Sequence, residues 1–242
     1  MSPKDFQVQM NKTTIGGLEV LELPGDRSGA VCICFHGFGA DHTDLLSLGQ
    51  LGQITPRPTW LFPRGPLKIT FATGVIGRAW FPIDMEKLHE TRQQLGHLKL
   101  IDSAFPCELT ESRHLIENFI TELDTPLSKI FFGGFSQGAV LATEVALSVF
   151  ERPGGLFVLS GTLVNKLHWE KMVHQKGGLP FFQSHGTNDP LLPFSRAQAL
   201  ETLFISGGLK GKLYSFVGGH EIPLQSLAQL DLFLRKCLLG QS

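Results

Sequence analysis

Ser136 lies in the run Gly134-Phe135-Ser136-Gln137-Gly138, and Asp189 and His220 follow it along the chain. These three residue types, in that order, are the set needed for covalent acyl transfer. A serine hydroxyl is a poor nucleophile at neutral pH. It needs an imidazole to accept its proton, and the imidazole needs a carboxylate to orient it. Each candidate sits where a loop leaves an apolar run. Ile130-Phe131-Phe132 precedes the serine and the small-residue stretch Ala139-Val140-Leu141-Ala142 follows it, so a strand, a tight turn and a helix are expected. Gly134 and Gly138 flank the serine because side chains there would collide with the neighbouring strand and helix, and the turn is expected to strain the serine backbone. Asp189 falls in the turn-rich Gly186-Thr187-Asn188-Asp189-Pro190 after a strand. His220 follows Gly218-Gly219 after the last strand and precedes a helix.

An acyl-transfer site also needs two donors for the oxyanion. One is expected to be the N–H of Gln137, the residue after the serine, with the helix N-terminus behind it. The other is expected in the loop after an early strand, His36-Gly37-Phe38-Gly39-Ala40-Asp41. Glycines on both sides of Phe38 favour its N–H as that donor, with Gly37 as the alternative. His36 and His185 also stand at strand ends beside glycines. Their expected role is structural, bonding the loops that carry the oxyanion site and Asp189. Neither has partners at metal-ligand spacing, and no cofactor or metal is expected.

The elements that must position these groups alternate along the chain. Two extended segments between Phe6 and Leu23, joined near Gly16-Gly17, suggest an edge hairpin. Ala30–Phe35 is a continuous apolar run, as expected for a strand buried on both faces. Further strands are expected at Thr59–Phe62, Lys129–Phe132, Leu156–Leu159, Pro180–Phe182 and Lys212–Phe216. Leu115, Ile116, Phe119, Ile120 and Leu123 form a helical stripe, and Leu227, Leu230, Leu234 and Cys237 form another after Pro223. Strands alternating with helices predict an α/β chain, a doubly wound, mostly parallel sheet with helices on both faces. The whole of 1–242 is expected to form one domain. The stretch 63–106, rich in Pro, Gly and aromatics, reads as an irregular insertion with a helix near Met85–Leu95, placed near the strand ends where ligands bind.

Composition narrows the function. The chain has 242 residues, 42% hydrophobic and 18% charged, with a net charge of -1, so no basic surface argues for nucleic acid. Lys166, Lys171 and Lys176 read as a solvated helix face. No apolar run reaches the length of a membrane span, and Met1-Ser2-Pro3-Lys4-Asp5 lacks the apolar core of a signal peptide. Cys32, Cys34 and Cys237 lie in apolar runs and read as buried thiols, which points to a reducing, cytoplasmic setting. Nineteen Phe against one Tyr fit either a Phe-rich interior or a pocket for an apolar chain.

Five blocks carry a resemblance. His36-Gly37-Phe38-Gly39, Arg78-Ala79-Trp80-Phe81, Gly134-Phe135-Ser136-Gln137-Gly138, His185 to Pro193 and Gly219-His220-Glu221-Ile222 resemble, in order, the signature blocks of the phospholipase/carboxylesterase family, which includes the acyl-protein thioesterases. The resemblance runs from about residue 30 to 237. It implies a compact α/β-hydrolase fold without a large cap and a Ser136–His220–Asp189 triad. The activity implied is a serine esterase, thioesterase or lysophospholipase-like hydrolase acting on small esters, thioesters or acylated substrates, as a monomer or homodimer. It places Trp80 and Phe81 at the border of the acyl site. The chain departs from eukaryotic thioesterases at Phe38, where they typically carry Leu, at Ala40, where an Asp is usual, and at Gly138-Ala139, where two glycines are usual. These departures favour a generalist small-ester carboxylesterase at least as much as long-chain protein deacylation. The rival readings are a hydrolase-fold binding module that has lost its chemistry, which the complete triad disfavours, and a lipase, for which no large lid is evident.

Overall fold

The computed structural model describes residues 10–26, 29–51, 56–71, 73–83 and 106–240. The strands are β1 (Asn11–Ile15), β2 (Leu18–Leu23), β3 (Val31–Phe35), β4 (Thr59–Pro63), β5 (Leu67–Thr70), β6 (Ile76–Ala79), β7 (Ile130–Phe135), β8 (Gly155–Leu159), β9 (Pro180–Gly186) and β10 (Lys210–Phe216). The helices are α1 (Pro106–Thr121), α2 (Gln137–Ser148), α3 (Lys166–Val173), α4 (Phe194–Ser206) and α5 (Leu224–Leu239). Eight strands form one sheet in the order β1-β2-β4-β3-β7-β8-β9-β10. The β1–β2 and β2–β4 pairs are antiparallel and every other pair is parallel.

That order places the site. After β3 the chain turns to β4 on one side, and it later returns to β7 on the other. The strand order therefore reverses between β3 and β7, and the loops leaving their carboxyl ends diverge to open a crevice. The loop after β3 carries Phe38 and the turn after β7 carries Ser136.

The central strands are apolar throughout because both faces are covered. Along β3, Val31, Ile33 and Phe35 point into one core while Cys32 and Cys34 point into the other. Along β8, Leu156 and Val158 alternate in the same way with Phe157 and Leu159. The first core packs under α1 to α4. The second packs under Leu45, Leu48 and the α5 residues Leu230 and Leu234. Full burial of one such side chain contributes about 2 kcal/mol. The expected stripes hold: Ile116 and Phe119 of α1 and Leu230 and Leu234 of α5 are fully buried.

Two local expectations change, and a third falls outside the described residues. The stretch from 63 onward is not wholly irregular, because β5 and β6 pair as an antiparallel hairpin, Leu67 against Ala79 and Thr70 against Ile76. The helix expected near Met85–Leu95 lies outside the described residues. Lys176 is not on a solvated face. It is 1% exposed, and its ammonium donates to the carbonyls of Val149, Phe150 and Glu151. Those carbonyls follow the C-terminus of α2, where a cation is favoured. Burial pushes the Lys176 amine below its ordinary value.

Candidate active site

The serine turn follows from contacts made by glycine backbones. A Cβ on Gly134 would lie 2.6 Å from the carbonyl oxygen of Phe35, and one on Gly138 only 2.0 Å from that same oxygen. Only glycine lets β7 and the first turn of α2 approach β3 this closely. Ser136, between them, is driven to φ 54° and ψ −117°, a strained conformation for a residue with a Cβ. Its N–H donates to the carbonyl of Leu159 on β8 at 2.9 Å, and its carbonyl accepts the N–H groups of Ala139 and Val140. No side chain caps α2, so the amides ahead of Ala139, that of Gln137 first, are left to face an anion.

Asp189 and His220 meet above β9 and β10. The Nδ1–H of His220 donates to Asp189 Oδ2 at 2.7 Å. The other carboxylate oxygen accepts the N–H groups of Leu191 and Leu192 at 2.8 and 2.9 Å. Burial alone pushes the carboxyl up, but hydrogen bonds from His185, from His220 and from the Leu192 N–H outweigh it and hold Asp189 well below its ordinary value. An ionised acceptor at Oδ2 fixes the His220 proton on Nδ1 and leaves Nε2 with its lone pair. The imidazole lies beside the Phe135 ring, centroids 4.9 Å apart, and so next to the residue that precedes Ser136. His185 is fully buried. Its Nε2 faces the Leu192 carbonyl at 2.8 Å and Asp189 Oδ2 at 3.2 Å, so it braces the acid's loop.

The loop after β3 runs against the serine. A Cβ on Gly37 would stand 3.6 Å from Ser136 Cβ. His36 clamps the loop from beneath: its Nε2 accepts the Gly65 N–H at 2.9 Å, which puts the ring proton on Nδ1 for donation to the Gly37 carbonyl at 2.8 Å. Burial holds this imidazole below its ordinary value and thus neutral. Hairpin strand β6 holds the far side, with Gly39 N–H donating to the Arg78 carbonyl and Arg78 N–H to the Ala40 carbonyl, both at 2.8 Å. Gly39 and Ala40 therefore have their amides engaged, the latter with the Gly37 carbonyl at 3.3 Å. Asp41, next in line, is gripped by a two-pronged bond from Arg64, at 2.9 Å from Nε and 2.7 Å from Nη2.

Trp80 and Phe81, expected at the border of the acyl site, are each 2% exposed and belong to the core under α1 and α2. The Trp80 indole N–H donates to the His36 carbonyl at 3.0 Å, and its ring meets Phe35 edge-on at 5.2 Å. The side chain of Gln137 brackets the same segment. Its Oε1 accepts the Trp80 N–H at 2.9 Å and its Nε2 donates to the Phe81 carbonyl at 2.6 Å. Among the described residues of this region, the exposed apolar side chains are Leu67, Phe71, Val75 and Ile76 of the hairpin. The Phe71 ring rests on the loop, since a Cβ on Gly39 would stand 2.6 Å from its Cζ. The hairpin, the Gln137 bracket and the Arg64 fork were not foreseen. Their partners are far apart in the chain, and no local pattern announces them.

A mostly parallel sheet with a strained serine after a central strand, and a carboxylate bonded to a histidine at the ends of two later strands, defines the α/β-hydrolase class. The chain belongs to the phospholipase/carboxylesterase family, whose model matches residues 17–238, and it is a serine hydrolase of the ester-cleaving class. It is 31% identical over 214 residues to acyl-protein thioesterase 1 of Eremothecium gossypii, covering 84% of this chain and 86% of that protein. It is 27% identical over 188 residues to carboxylesterase SOBER1 of Arabidopsis thaliana, covering 76% and 79%. The crystal structure of esterase PE8 superposes with a TM-score of 0.73 at 23% identity, covering 96% of this chain and 100% of that one. Among the described residues no helix is long and apolar enough to cross a membrane.

Proposed function

We propose that Ser136 is the nucleophile, His220 its base and Asp189 the acid that orients the base, and that the enzyme hydrolyses carboxylic esters or thioesters of apolar acyl chains. The observation that carries this reading is the 2.7 Å bond from His220 to an ionised Asp189, beside a serine held at φ 54°. His220 Nε2 takes the Ser136 proton as the hydroxyl oxygen attacks the acyl carbonyl. The N–H groups of Phe38 and Gln137 bind the oxyanion, a role supported for Phe38 by the engagement of the next two amides in the loop. The His220 imidazolium then protonates the leaving alcohol or thiol as its bond to the acyl carbon breaks. Water, deprotonated by the same nitrogen, attacks the acyl-enzyme, and the proton returns to Ser136 as the acid leaves. Asp189 stays ionised throughout, stabilising the imidazolium.

The acyl chain is assigned to the apolar side chains of the hairpin, Phe71 first, because they are exposed and adjoin the oxyanion loop while Trp80 and Phe81 do not reach solvent. The free, buried thiols Cys32 and Cys34 support a reducing, cytoplasmic setting. Intact-mass analysis after treatment with a fluorophosphonate tests the core of the reading. One adduct is expected on the wild type and none on Ser136→Ala. Equal labelling of both would overturn it.

A further inference from the structure

Three described residues other than glycine have positive φ: Ser136, Ser160 and Asn165. Asparagine tolerates that region and serine does so less readily. Ser160, at φ 47° and fully buried, therefore needs a reason for its conformation. It directly follows β8. Its N–H donates to the Ser184 carbonyl at 2.9 Å, extending the β8–β9 ladder by one bond, and its hydroxyl donates to the carbonyl of Glu221 at 3.1 Å. Glu221 is the residue after His220.

The loop that carries the base has few other restraints. It runs from the end of β10 to the start of α5; Val217 at its beginning is 85% exposed, and past His220 the side chain of Ile222 packs against the second core, an apolar contact that sets no hydrogen-bonded height for the backbone. Gly218 is held through its carbonyl by the Asn188 N–H at 3.0 Å, and the Gly219 N–H donates to the carboxylate of Glu221 at 3.2 Å, a bond within the loop itself. The imidazole bonds Asp189 and lies on Phe135. Beyond His220, the bond from Ser160 ties the loop to the sheet. The neighbouring residue completes the device, because the Leu159 carbonyl accepts the Ser136 N–H. Two consecutive residues at the end of one strand thus bond the nucleophile's turn and the base's loop.

We propose that Ser160 is a positioning residue for His220, kept in a left-handed conformation so that its hydroxyl sets the imidazole's loop at a fixed height relative to Ser136. The proposal rests on the triad assigned above. Strain is retained at functional sites where surrounding structure over-determines it, and here the ladder bond on one side and the hydroxyl bond on the other supply that determination. Glycine would adopt the same φ without strain but would carry no hydroxyl.

The test uses Ser160→Ala and Ser160→Gly with p-nitrophenyl butyrate. Losing one positioning hydrogen bond is expected to lower kcat about tenfold in both variants, with KM within about twofold of wild type. Fluorophosphonate labelling of Ser136 should slow by the same factor. Ser160→Gly should melt no lower than Ser160→Ala, so that activity is lost where strain is relieved, which a merely structural serine would not produce. In a His220→Ala background, adding Ser160→Ala should leave the residual rate unchanged, because the serine acts through the imidazole. A Ser160→Gly enzyme with wild-type kcat would overturn the proposal, as would a further loss in the His220→Ala background. Should Ser160→Ala fail to fold, the glycine variant decides. Ser136→Ala and His220→Ala run alongside: full activity in either one would refute the triad, whereas their inactivity beside active Ser160 variants would refute only the role of Ser160.

Discussion

The indole N–H of Trp80 donates to the carbonyl of His36 at 3.0 Å, so a core tryptophan supports the loop that carries Phe38. Trp80→Phe keeps most of the packing and removes the donor. It is expected to lower stability by about 1 kcal/mol and to reduce kcat for every acyl length by a similar factor, because the oxyanion loop serves all substrates alike. Trp80→Ala should cost about 3–5 kcal/mol. Thermal melts and a panel of acetyl to palmitoyl esters of one leaving group check this. A selective loss on long chains would place Trp80 in the acyl site instead.

Phe71 and its hairpin neighbours are expected to set chain-length preference. Each buried methylene is worth about 0.8 kcal/mol, so kcat/KM should rise a few-fold per added carbon until the surface is covered. Phe71→Ser should flatten that rise and leave acetyl hydrolysis nearly intact. If acyl length has no effect on wild type, the hairpin does not contact the chain.

His220→Ala should abolish turnover with the fold retained. Asp189→Asn should cost about 10⁴ in kcat, since an amide at this position can no longer hold the Nδ1–H tautomer that leaves Nε2 free to accept the serine's proton. Activity that survives His220→Ala but not His185→Ala would move the base to the second imidazole.

The pH dependence of stability follows from the sign of the Asp189 shift. Its folded value lies below its ordinary 3.8, so ionisation favours the folded state. This contribution is fully present above that ordinary value and is lost as pH falls through the depressed folded value. Asp189→Asn should therefore narrow its stability deficit in melts taken at progressively lower pH. The carboxylate stays ionised through the neutral range.

Lys176 offers a prediction remote from the chemistry. Its ammonium bonds three carbonyls beyond the end of α2. Lys176→Met fills similar volume without a donor and should destabilise by about 1–3 kcal/mol through the buried carbonyls left unpaired, with kcat and KM unchanged. Urea denaturation measures the first and ester kinetics the second.

Sequence alone determined what short-range chemistry dictates. Period-two burial along Val31–Phe35 follows from residue type, because an apolar run can be satisfied only between two covered faces. The strained turn at Ser136 follows from flanking glycines whose missing Cβ atoms permit an approach that any side chain would block. The bond between Asp189 and His220 was foreseen from their order and from the loops that carry them. Tertiary structure decided the rest. The family resemblance placed Trp80 and Phe81 at the border of the acyl site, and only the packing of α1 and α2 over β3 showed that both side chains are buried in the core. Lys176 looked solvated because nothing nearby in sequence reveals the open carbonyls of a helix end 27 residues away. Ser160 carried no signal at all: its left-handed φ and its bond to Glu221, 61 residues on, exist only once β8, β9 and the histidine loop have met. Local periodicity and steric exclusion are written in neighbouring residues, whereas a hydrogen bond across the fold depends on a distance that only the folded chain sets.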